Sequence, residues 1–182
     1  MKIIKALLLV LGVLVLAAGG LVGYLTLTEY RPDDIEQLEV TQAARSDNVR
    51  VGERLDVLSF NTGYCGLGRD QDFFMDGGSG SVAPSAQYVS DNVNGSADAI
   101  EGIDPDIVLF QEVDIDGTRS HGVDEYALLR NDFPTLCSVF AQNYDSPYLA
   151  WPLYAPHGKN KAGMATFSRY QIESTLRRSL PI

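Results

Sequence analysis

The longest apolar stretch of the chain lies at its N-terminus. Residues 6–27 carry no charge and are mostly Leu, Val, Ala and Gly, and a helix of that length rises about 33 Å, enough to cross a bilayer. A cleaved signal peptide is the alternative, because Lys2 and Lys5 form a basic start and the small residues of 17–20 offer a cleavage site. The apolar run continues to Leu27, beyond the length that a signal peptide needs, which favours a retained transmembrane helix.

Charges around this stretch predict its orientation. The two lysines of residues 1–5 precede it, whereas residues 28–50 are polar and begin with several acidic side chains. Because positive flanks stay on the cytoplasmic side, we expect a cytoplasmic segment at 1–5, a single-pass helix at 6–27 in the cell membrane, a stalk at 28–50 and a domain outside at 51–182. If the apolar segment is cleaved, the same domain is secreted.

Hydrophobic periodicity after the stalk predicts alternating strands and helices. Apolar runs at 54–60 and 106–111 have the length of buried strands. The apolar face of a helix between them consists of Val89, Val93, Ala97 and Ile100. Ser85 is a suitable N-cap, so this helix should span 85–101 and end at Gly102. A strand, a helix and a strand in this order predict a parallel pair joined by a crossover, and hence an α/β fold.

The pattern continues toward the end of the chain. The expected elements are a helix at 124–131, a strand at 136–142, an aromatic and proline-rich loop at 145–161 and a hairpin of 162–168 with 172–180. The helix would turn Tyr126 and Leu129 toward the core, with Ala127 as a further candidate, and stop before Pro134.

The net charge of −10 changes the functional picture. Cationic residues are scattered and outnumbered, so the basic surface expected of a nucleic-acid binder is missing. Nucleic acid stays open as a substrate, because a bound divalent metal supplies local positive charge, but the net charge of the protein does not favour it.

Two cysteines, Cys65 and Cys137, leave disulfide pairing open. With only two histidines in the chain, a structural zinc site is not expected.

A long loop at 63–83 is rich in Gly, Ser and Asp. Loops of this length in compact domains usually have a function. Its acidic residues include Asp70, Asp72 and Asp76. They either solvate the loop or contact a metal or a substrate, and composition leaves both interpretations open.

Candidate chemistry comes from the residues that follow the first two predicted strands. Asn61 follows 54–60, and Glu112 follows 106–111. Because α/β proteins build their sites where the carboxyl ends of strands meet, we expect Asn61 and Glu112 to lie together. One carboxylate beside a carboxamide suits Mg²⁺, which keeps most of its shell as water and substrate oxygen. The alternative is a turn asparagine before Thr-Gly and a solvated glutamate at a strand end.

Three motifs in order strengthen this prediction. They are LSFNTG at 58–63, PDIVLFQEVD at 105–114 and GMATFSRYQI at 163–172. Together they resemble the endonuclease/exonuclease/phosphatase superfamily, and the resemblance runs from about Leu55 to the last residue. With its apolar N-terminus the chain is most similar to the membrane-anchored bacterial members.

The resemblance implies a four-layer α/β sandwich, in which two mixed sheets pack face to face between helices, and hydrolysis of phosphoester bonds with Mg²⁺ or Mn²⁺. Glu112 takes the metal-binding glutamate position of the family. Asn61 takes the position of the asparagine that helps to hold the phosphate or the metal-bound water, so both residues are catalytic and metal-binding candidates. The implied substrate is a phosphoester, and the membrane tether and negative charge favour a lipid headgroup or a small organophosphate.

The sequence departs from the family pattern in its later part. The Asp-x-Asn pair that orients the attacking water and the late Ser-Asp-His motif do not occur in residues 1–182, and His121 and His157 stand in other contexts. We therefore expect residues 51–182 to form an incomplete domain, the N-terminal half of the sandwich, which is inactive by itself. The alternative is a non-catalytic, truncated binding module held at the membrane.

Other residues carry weaker signals for the substrate side. The cationic candidates are Arg119, Lys159, Lys161 and Arg169. Their alternative is solvation or ordinary ion pairing, for Arg119 with Asp114 or Asp116. The aromatic candidates, which either form a lip facing the membrane or pack within their loop, are Tyr148, Trp151 and Tyr154.

Overall fold

The computed structural model describes residues 2–44 and 47–179. Contacts divide the chain into two compact units, residues 1–30 and residues 31–182. In chain order the elements are α1 (Lys2–Leu27), β1 (Ile35–Gln37), β2 (Val40–Thr41), β3 (Val57–Asn61), α2 (Ala86–Ile103), β4 (Ile107–Gly117), α3 (Glu125–Asp132), β5 (Cys137–Leu149), β6 (Gly158–Ser168) and β7 (Leu176–Arg178). The second unit is thus a mixed α/β domain.

The first unit is the apolar helix α1. It has 26 residues, a mean hydropathy of 2.6 over its most apolar window and no buried residues. Its length and composition are sufficient to cross a membrane. A single helix of this kind near the N-terminus fits either a signal anchor or a signal peptide.

Five strands form one mixed sheet in the order β2-β5-β6-β4-β3. Strands β3 and β4 are parallel and are joined through α2, which confirms the predicted crossover. The other neighbours in this sheet are antiparallel. Because β3 and β4 are in register from Val57 opposite Ile107 to Asn61 opposite Gln111, the end of β3 lies beside the middle of β4.

Helix α2 begins and packs as its sequence predicts. The Ser85 hydroxyl accepts a hydrogen bond from the Tyr88 amide at 3.1 Å, so the predicted N-cap is confirmed. Its buried residues are Val89, Val93, Ala97 and Ile100. The predicted end at Gly102 is wrong, since the helix continues to Ile103 and is capped by Asp104 in the left-handed conformation (φ 53°).

The hydrophobic core lies between α2, α3 and one face of the sheet. Phe110 of β4 is its centre, with Phe60 and Phe167 in edge contact at ring distances of 6.2 and 5.6 Å. Leu129 of α3 is buried in the same cluster, as predicted. Ala127 is exposed, so its inward placement is wrong.

Several strands are longer or paired differently than the periodicity indicates. Strands β5 and β6 extend into the predicted loop at 145–161, which shortens the connection between them. The hairpin prediction is wrong, because β7 pairs with β1 instead of β6; its predicted last residue, Leu180, lies outside the described residues. The pairing of β7 with β1 leaves no local signal in the sequence, because the two strands lie far apart along the chain.

The predicted stalk contributes to the sheets. Strand β1 pairs antiparallel with β7, and Val40 of β2 lies opposite Val139 of β5. Thr175 also donates a hydrogen bond to the Leu38 carbonyl at 2.8 Å. Ordered structure therefore begins well before residue 51, because backbone pairing with distant strands overrides a polar composition.

The other face of the five-stranded sheet exposes apolar side chains, among them Val57, Leu109 and Met164.

Both cysteines are buried and free in the structure. Cys65 packs in the core with α2, whereas Cys137 contacts Gln42 at the other side of the domain. Burial raises the pKa of the Cys65 thiol, which keeps it protonated and unreactive.

Candidate functional site

Glu112 lies on a β-bulge within β4. The expectation that it ends a strand is wrong, because β4 continues to Gly117. Phe110 is paired with Ala165, and the next pair is Val113 with Gly163, so Gln111 and Glu112 together oppose Met164. Two residues against one is the defining geometry of a bulge.

The bulge lifts Glu112 out of the core. Val108 and Phe110 face the helices, and regular alternation would put Glu112 on the same buried side. With one extra residue inserted, Val113 takes the buried position instead and Glu112 is exposed. The backbone at Glu112 adopts φ 58°, a left-handed conformation that costs a non-glycine residue free energy and is found preferentially at functional sites.

Asn61 holds the Glu112 side chain. Its Nδ2 donates a hydrogen bond to Glu112 Oε1 at 2.9 Å, while its Oδ1 accepts one from the Gly63 amide at 2.8 Å. The Thr62 hydroxyl donates to the Glu112 carbonyl at 2.9 Å, which ties the end of β3 to the bulge. The structure thus brings the two predicted site residues together, with the amide group of Asn61 engaged at both ends.

A glycine allows the strand opposite the bulge to come close. At Gly163 a Cβ atom would lie 2.4 Å from the Ala141 carbonyl oxygen and 2.6 Å from the Phe140 ring. Gly163 belongs to the third motif of the sequence, and its lack of a side chain is required by the close approach of β5 to β6.

A buried ion pair lies directly behind the bulge. Asp114 is fully buried and accepts hydrogen bonds from Arg119, with Nη2 at 2.7 Å and Nε at 3.0 Å, and from the Ser120 hydroxyl at 2.8 Å. Arg119 therefore has the ion pair expected as its alternative role. Its guanidinium also stacks on the Tyr64 ring at 4.4 Å, and burial raises the pKa of Tyr64 to about 12.

Glu125 continues this buried network into α3. It is fully buried, and its Oε2 accepts a hydrogen bond from the Asp114 amide at 3.1 Å, while Oε1 has no partner among the described residues. Burial, followed by the charge of Asp114, raises the pKa of Glu125 well above its ordinary value. Glu125 couples the helix to the strand through its hydrogen bond with the Asp114 amide.

Glu112 opens into a cavity of about 950 Å³. Its polar side is formed by Asn61, Gln111, Glu112 and Arg119. Its apolar side is formed by residues of two loops: Leu67, Phe73, Phe74, Met75 and Trp151. A concave site with a few polar groups beside an apolar wall is the usual form of a small-molecule site.

Hydrogen bonds join the two loops that form the apolar side. The Ser81 hydroxyl donates to the Ala155 carbonyl at 2.6 Å, and the Tyr154 hydroxyl donates to the Ser79 carbonyl at 2.7 Å. His157 Nδ1 donates to the Ser81 carbonyl at 2.8 Å, and burial lowers the pKa of His157. His157 thus holds the loops together as a neutral side chain.

The acidic residues of the long loop organise that loop. Asp72 accepts a hydrogen bond from the Gly80 amide at 2.7 Å, and backbone hydrogen bonds of this kind lower the pKa of Asp72. Asp70 accepts one from the Tyr88 hydroxyl at 2.6 Å. Neither residue lines the cavity, so the loop contributes its apolar side chains to the site and uses these two acids to hold its own shape.

The other cationic candidates form ion pairs at the surface. Lys159 pairs with Asp116 at 3.0 Å and Lys161 with Asp145 at 3.5 Å. Arg169 lines a different cavity, of about 700 Å³, beside the start of β4. None of the three lines the cavity at Glu112. Of the aromatic candidates, Trp151 lines it and Tyr154 braces the loops from outside.

The residues present suit a hard divalent cation held by one carboxylate. Among the described residues there is no group of three or more Asp, Glu, His and Cys side chains placed to hold a metal. Glu112 is nonetheless exposed, oriented by Asn61 and located in a cavity with room for a hydrated cation. That arrangement fits Mg²⁺ or Mn²⁺, which bind through one or two carboxylates and keep several waters.

Sequence reasoning missed the bulge and the apolar wall. The bulge has a signal, because the buried pattern moves from Val108 and Phe110 to Val113 and so changes phase by one residue. The wall has one too: Phe73, Phe74 and Met75 are consecutive large apolar residues in a loop otherwise made of Gly, Ser and Asp. The stacking of Arg119 on Tyr64 has no such signal.

Comparison with known families agrees with this geometry. No curated protein and no solved structure matches the chain at a significant level. The profile of the endonuclease/exonuclease/phosphatase family matches residues 58–182, which begins within β3 and includes the bulge, the ion pair and all the lining of the cavity. Since the match covers more than half of the chain, the protein belongs to the endonuclease/exonuclease/phosphatase family.

Proposed function

We propose that residues 31–182 carry the glutamate half of a metal-dependent phosphoester hydrolase site. The observation that carries this proposal is Glu112, raised from the sheet by a bulge at a left-handed backbone position and oriented by Asn61. A fold does not retain such strain without a compensating gain elsewhere. The family assignment supports phosphoester hydrolysis as the chemistry.

Glu112 is the proposed metal ligand. A divalent cation bound there would neutralise charge on the phosphoryl oxygens and position a water molecule. Glu112 supplies the carboxylate, and the exposed side of its side chain faces the cavity. Mg²⁺ and Mn²⁺ share this preference for oxygen ligands.

Asn61 is proposed to position Glu112. Its Nδ2 donates to the carboxylate, and its Oδ1 accepts one hydrogen bond from the Gly63 amide, which leaves the second lone pair of Oδ1 available to a metal ion. A residue that orients a ligand in this way commonly changes metal affinity about 10- to 100-fold when it is removed.

The proposed complete fold is the four-layer sandwich of the family, of which this domain forms one half. The exposed apolar side chains of Val57 and Leu109 support this, because a sheet face of that kind packs against a second sheet in a sandwich. We propose that residues 1–182 alone hydrolyse slowly or not at all, since among the described residues the cavity is lined by one carboxylate, that of Glu112, and its histidine, His157, is hydrogen-bonded to the Ser81 carbonyl.

The proposed location is the cell membrane, with α1 as a retained anchor and the domain outside. The uncharged length of α1 and the lysines before it support this orientation. Mass spectrometry of the protein isolated from its membrane fraction tests it: an intact N-terminus supports the anchor, and a mature chain that starts after residue 20 contradicts it.

Metal binding tests the site without depending on turnover. Mn²⁺ is titrated into the full chain in nanodiscs and followed by electron paramagnetic resonance. Glu112→Gln should abolish binding, and Asn61→Ala should weaken it about 10- to 100-fold. Glu101→Gln, which removes an exposed carboxylate of α2, is the matched control and should bind as the wild type does.

Hydrolysis of bis(4-nitrophenyl) phosphate is measured in parallel. Metal-dependent turnover that disappears in Glu112→Gln supports the hydrolase and shows that the half site suffices. Mn²⁺ binding at Glu112 without turnover supports a half site that needs further residues. Mn²⁺ binding that is unchanged in Glu112→Gln contradicts the proposed function and leaves the anchored binding module.

A further inference from the structure

The two sides of the cavity at Glu112 differ in chemistry. The phosphoryl end needs only polar groups, and Asn61, Glu112 and Arg119 provide them. The apolar side, formed by Leu67, Phe73, Phe74, Met75 and Trp151, has no use in binding phosphate oxygens. Its presence therefore indicates a second part of the ligand.

Two residues of the apolar side are largely exposed to solvent, a position in which loops usually have polar side chains. Met75 is 72% exposed and Trp151 is 64% exposed, although both line the cavity. Contiguous exposed apolar surface in a soluble domain usually marks a binding site. Scattered exposed residues need no such explanation, but these two face one concave space.

This wall is formed before any ligand binds. The Phe73 and Phe74 rings are in edge contact at 4.9 Å, and Phe74 lies 5.8 Å from the His157 ring. The two loops are also joined by the hydrogen bonds of Ser81 to Ala155 and to His157. A preformed wall binds a ligand without the cost of ordering side chains.

Arg119 marks the boundary between the two sides. Asp114 takes its Nε and Nη2, and among the described residues no hydrogen bond involves its Nη1. Its guanidinium is held flat by the Tyr64 ring at 4.4 Å and borders the cavity. A fixed guanidinium at this point suits an anionic oxygen of the ligand.

We infer that the cavity binds a phosphate ester with an apolar substituent, an alkyl or aryl group. The phosphoryl group lies at Glu112 and Arg119, and the substituent packs on Phe74, Met75 and Trp151. The inference rests on the proposed function for the phosphoryl end and adds the class of substrate. Esters with small or strongly polar substituents, including nucleotides of a polymer, leave the wall exposed and bind more weakly.

A pair of non-hydrolysable probes with the same head tests this inference. Hexylphosphonate and methylphosphonate are titrated, with Mn²⁺ present, into the full chain in phosphatidylcholine nanodiscs. Trp151 is the one tryptophan of the chain, so its fluorescence reports on the wall directly. Hexylphosphonate should shift its emission to the blue and bind at least about tenfold more tightly, because burial of methylene groups adds affinity. Equal affinity for the two probes overturns the inference.

Variants of the wall locate the binding. Met75→Ser and Phe74→Ala should reduce the preference for hexylphosphonate at least about threefold each, as expected for the loss of part of a buried apolar contact. Met75 is exposed, so Met75→Ser keeps the test valid if Phe74→Ala impairs folding. Leu153→Ala is the matched control, since Leu153 is 77% exposed on the same loop as Trp151 but does not line the cavity. A loss in Leu153→Ala equal to that in Met75→Ser overturns the assignment to the cavity.

The source of the apolar group is distinguished by brominated lipid. If bromine atoms on the acyl chains of the nanodisc quench Trp151, the wall meets the membrane and the ester is a phospholipid. If they do not, the ester is soluble. Both results support an apolar substituent provided that the hexyl preference is present.

Failure of this inference and failure of the proposed function give different results. Loss of Mn²⁺ binding in Glu112→Gln together with equal affinity for both probes rejects the apolar substituent and retains the metal site. If hexylphosphonate binds more tightly but Glu112→Gln leaves Mn²⁺ affinity unchanged, the metal site is rejected. The assignment of the bound molecule as a substrate is then rejected with it.

Discussion

Two carboxylates of this domain are treated in opposite ways by the fold. Glu112 is lifted from β4 by a bulge and exposed at a strained backbone position, whereas Glu125 at the start of α3 is fully buried with a pKa raised well above its ordinary value. The first keeps its chemistry available at the cost of backbone strain. The second is enclosed in the core, where burial disfavours its charged form. The comparison teaches that a bulge exposes one acid of this region, whereas the packing of α3 on β4 buries the other.

The largest expected effect lies in the buried network. Asp114→Ala should lower the free energy of unfolding by about 3–5 kcal/mol, because it leaves the Arg119 guanidinium buried without its partner. Urea unfolding of the full chain, followed by Trp151 fluorescence, measures this. Asp116→Ala, which removes an exposed ion pair with Lys159, is the control and should cost at most about 1 kcal/mol. Equal losses of unfolding free energy in Asp114→Ala and Asp116→Ala would show that burial of the Asp114–Arg119 pair adds nothing to its effect on stability.

A smaller effect is expected opposite the bulge. Gly163→Ala should destabilise the domain by about 1–3 kcal/mol, since the added Cβ overlaps the Ala141 carbonyl and the Phe140 ring. It should also weaken Mn²⁺ binding at Glu112, because β6 must shift at the bulge. Gly95→Ala on α2, where a Cβ meets nothing within 4 Å, is the matched control. Unfolding free energies and Mn²⁺ titrations measure the two effects. A Gly163→Ala protein with wild-type Mn²⁺ affinity would show that metal binding at Glu112 does not depend on the close contact of Gly163 with β5.

The pH dependence of stability tests the raised pKa of Glu125. The pKa of Glu125 is higher in the folded than in the unfolded protein, so its contribution is fully present below about 4.5 and is lost as the pH rises through the folded pKa. In that window the slope approaches about 1.4 kcal/mol per pH unit. Glu125→Gln, which is neutral throughout, should flatten the curve.

Measurement of this slope above pH 6.5 avoids the opposite contribution of His157. Its pKa is lower in the folded protein, so it favours folding as the pH rises toward the ordinary value of 6.5 and then stays constant. Urea midpoints between pH 6.5 and 8.5 test the expectation. Identical slopes for wild type and Glu125→Gln would contradict the raised pKa of Glu125.

The smallest effect concerns the strain at Glu112. Glycine tolerates φ 58° whereas alanine does not, so Glu112→Gly should be more stable than Glu112→Ala by about 1 kcal/mol. Unfolding of the two variants side by side measures the strain without the carboxylate. If alanine is the more stable of the two, the left-handed position imposes no cost and the argument from strain to function fails.

The sequence predicted those parts of the site that depend on local order. Asn61 and Glu112 follow apolar runs in parallel strands, and the N-cap and buried spacing of α2 require the crossover that brings these strands together. The resemblance to the family predicted which acid of the region is the candidate. The prediction failed on the strand end, because a bulge depends on how β4 pairs with β6 and leaves only a change of phase in the buried pattern.

The rest of the fold depends on contacts between distant segments. The pairing of β1 with β7 joins residues near opposite ends of the domain, and the long ribbon of β5 and β6 consists of residues that read as a polar and aromatic loop. The apolar wall depends on three hydrogen bonds between loops far apart in sequence. Backbone pairing and side-chain to carbonyl contacts of this kind are decided by the folded arrangement, and composition does not report them.

Because of the bulge, the exposure of Glu112 depends on the number of residues in β4. Deletion of one codon, that of Glu112, would let β4 pair with β6 without interruption, and the buried positions of Val108, Phe110 and Val113 would then alternate regularly. Such an allele would encode a sound sheet with no lifted carboxylate. The lifted carboxylate and an ordinary strand are therefore separated by the deletion of one residue, so the number of residues between Phe110 and Val113 decides whether this sheet offers Glu112 to the cavity.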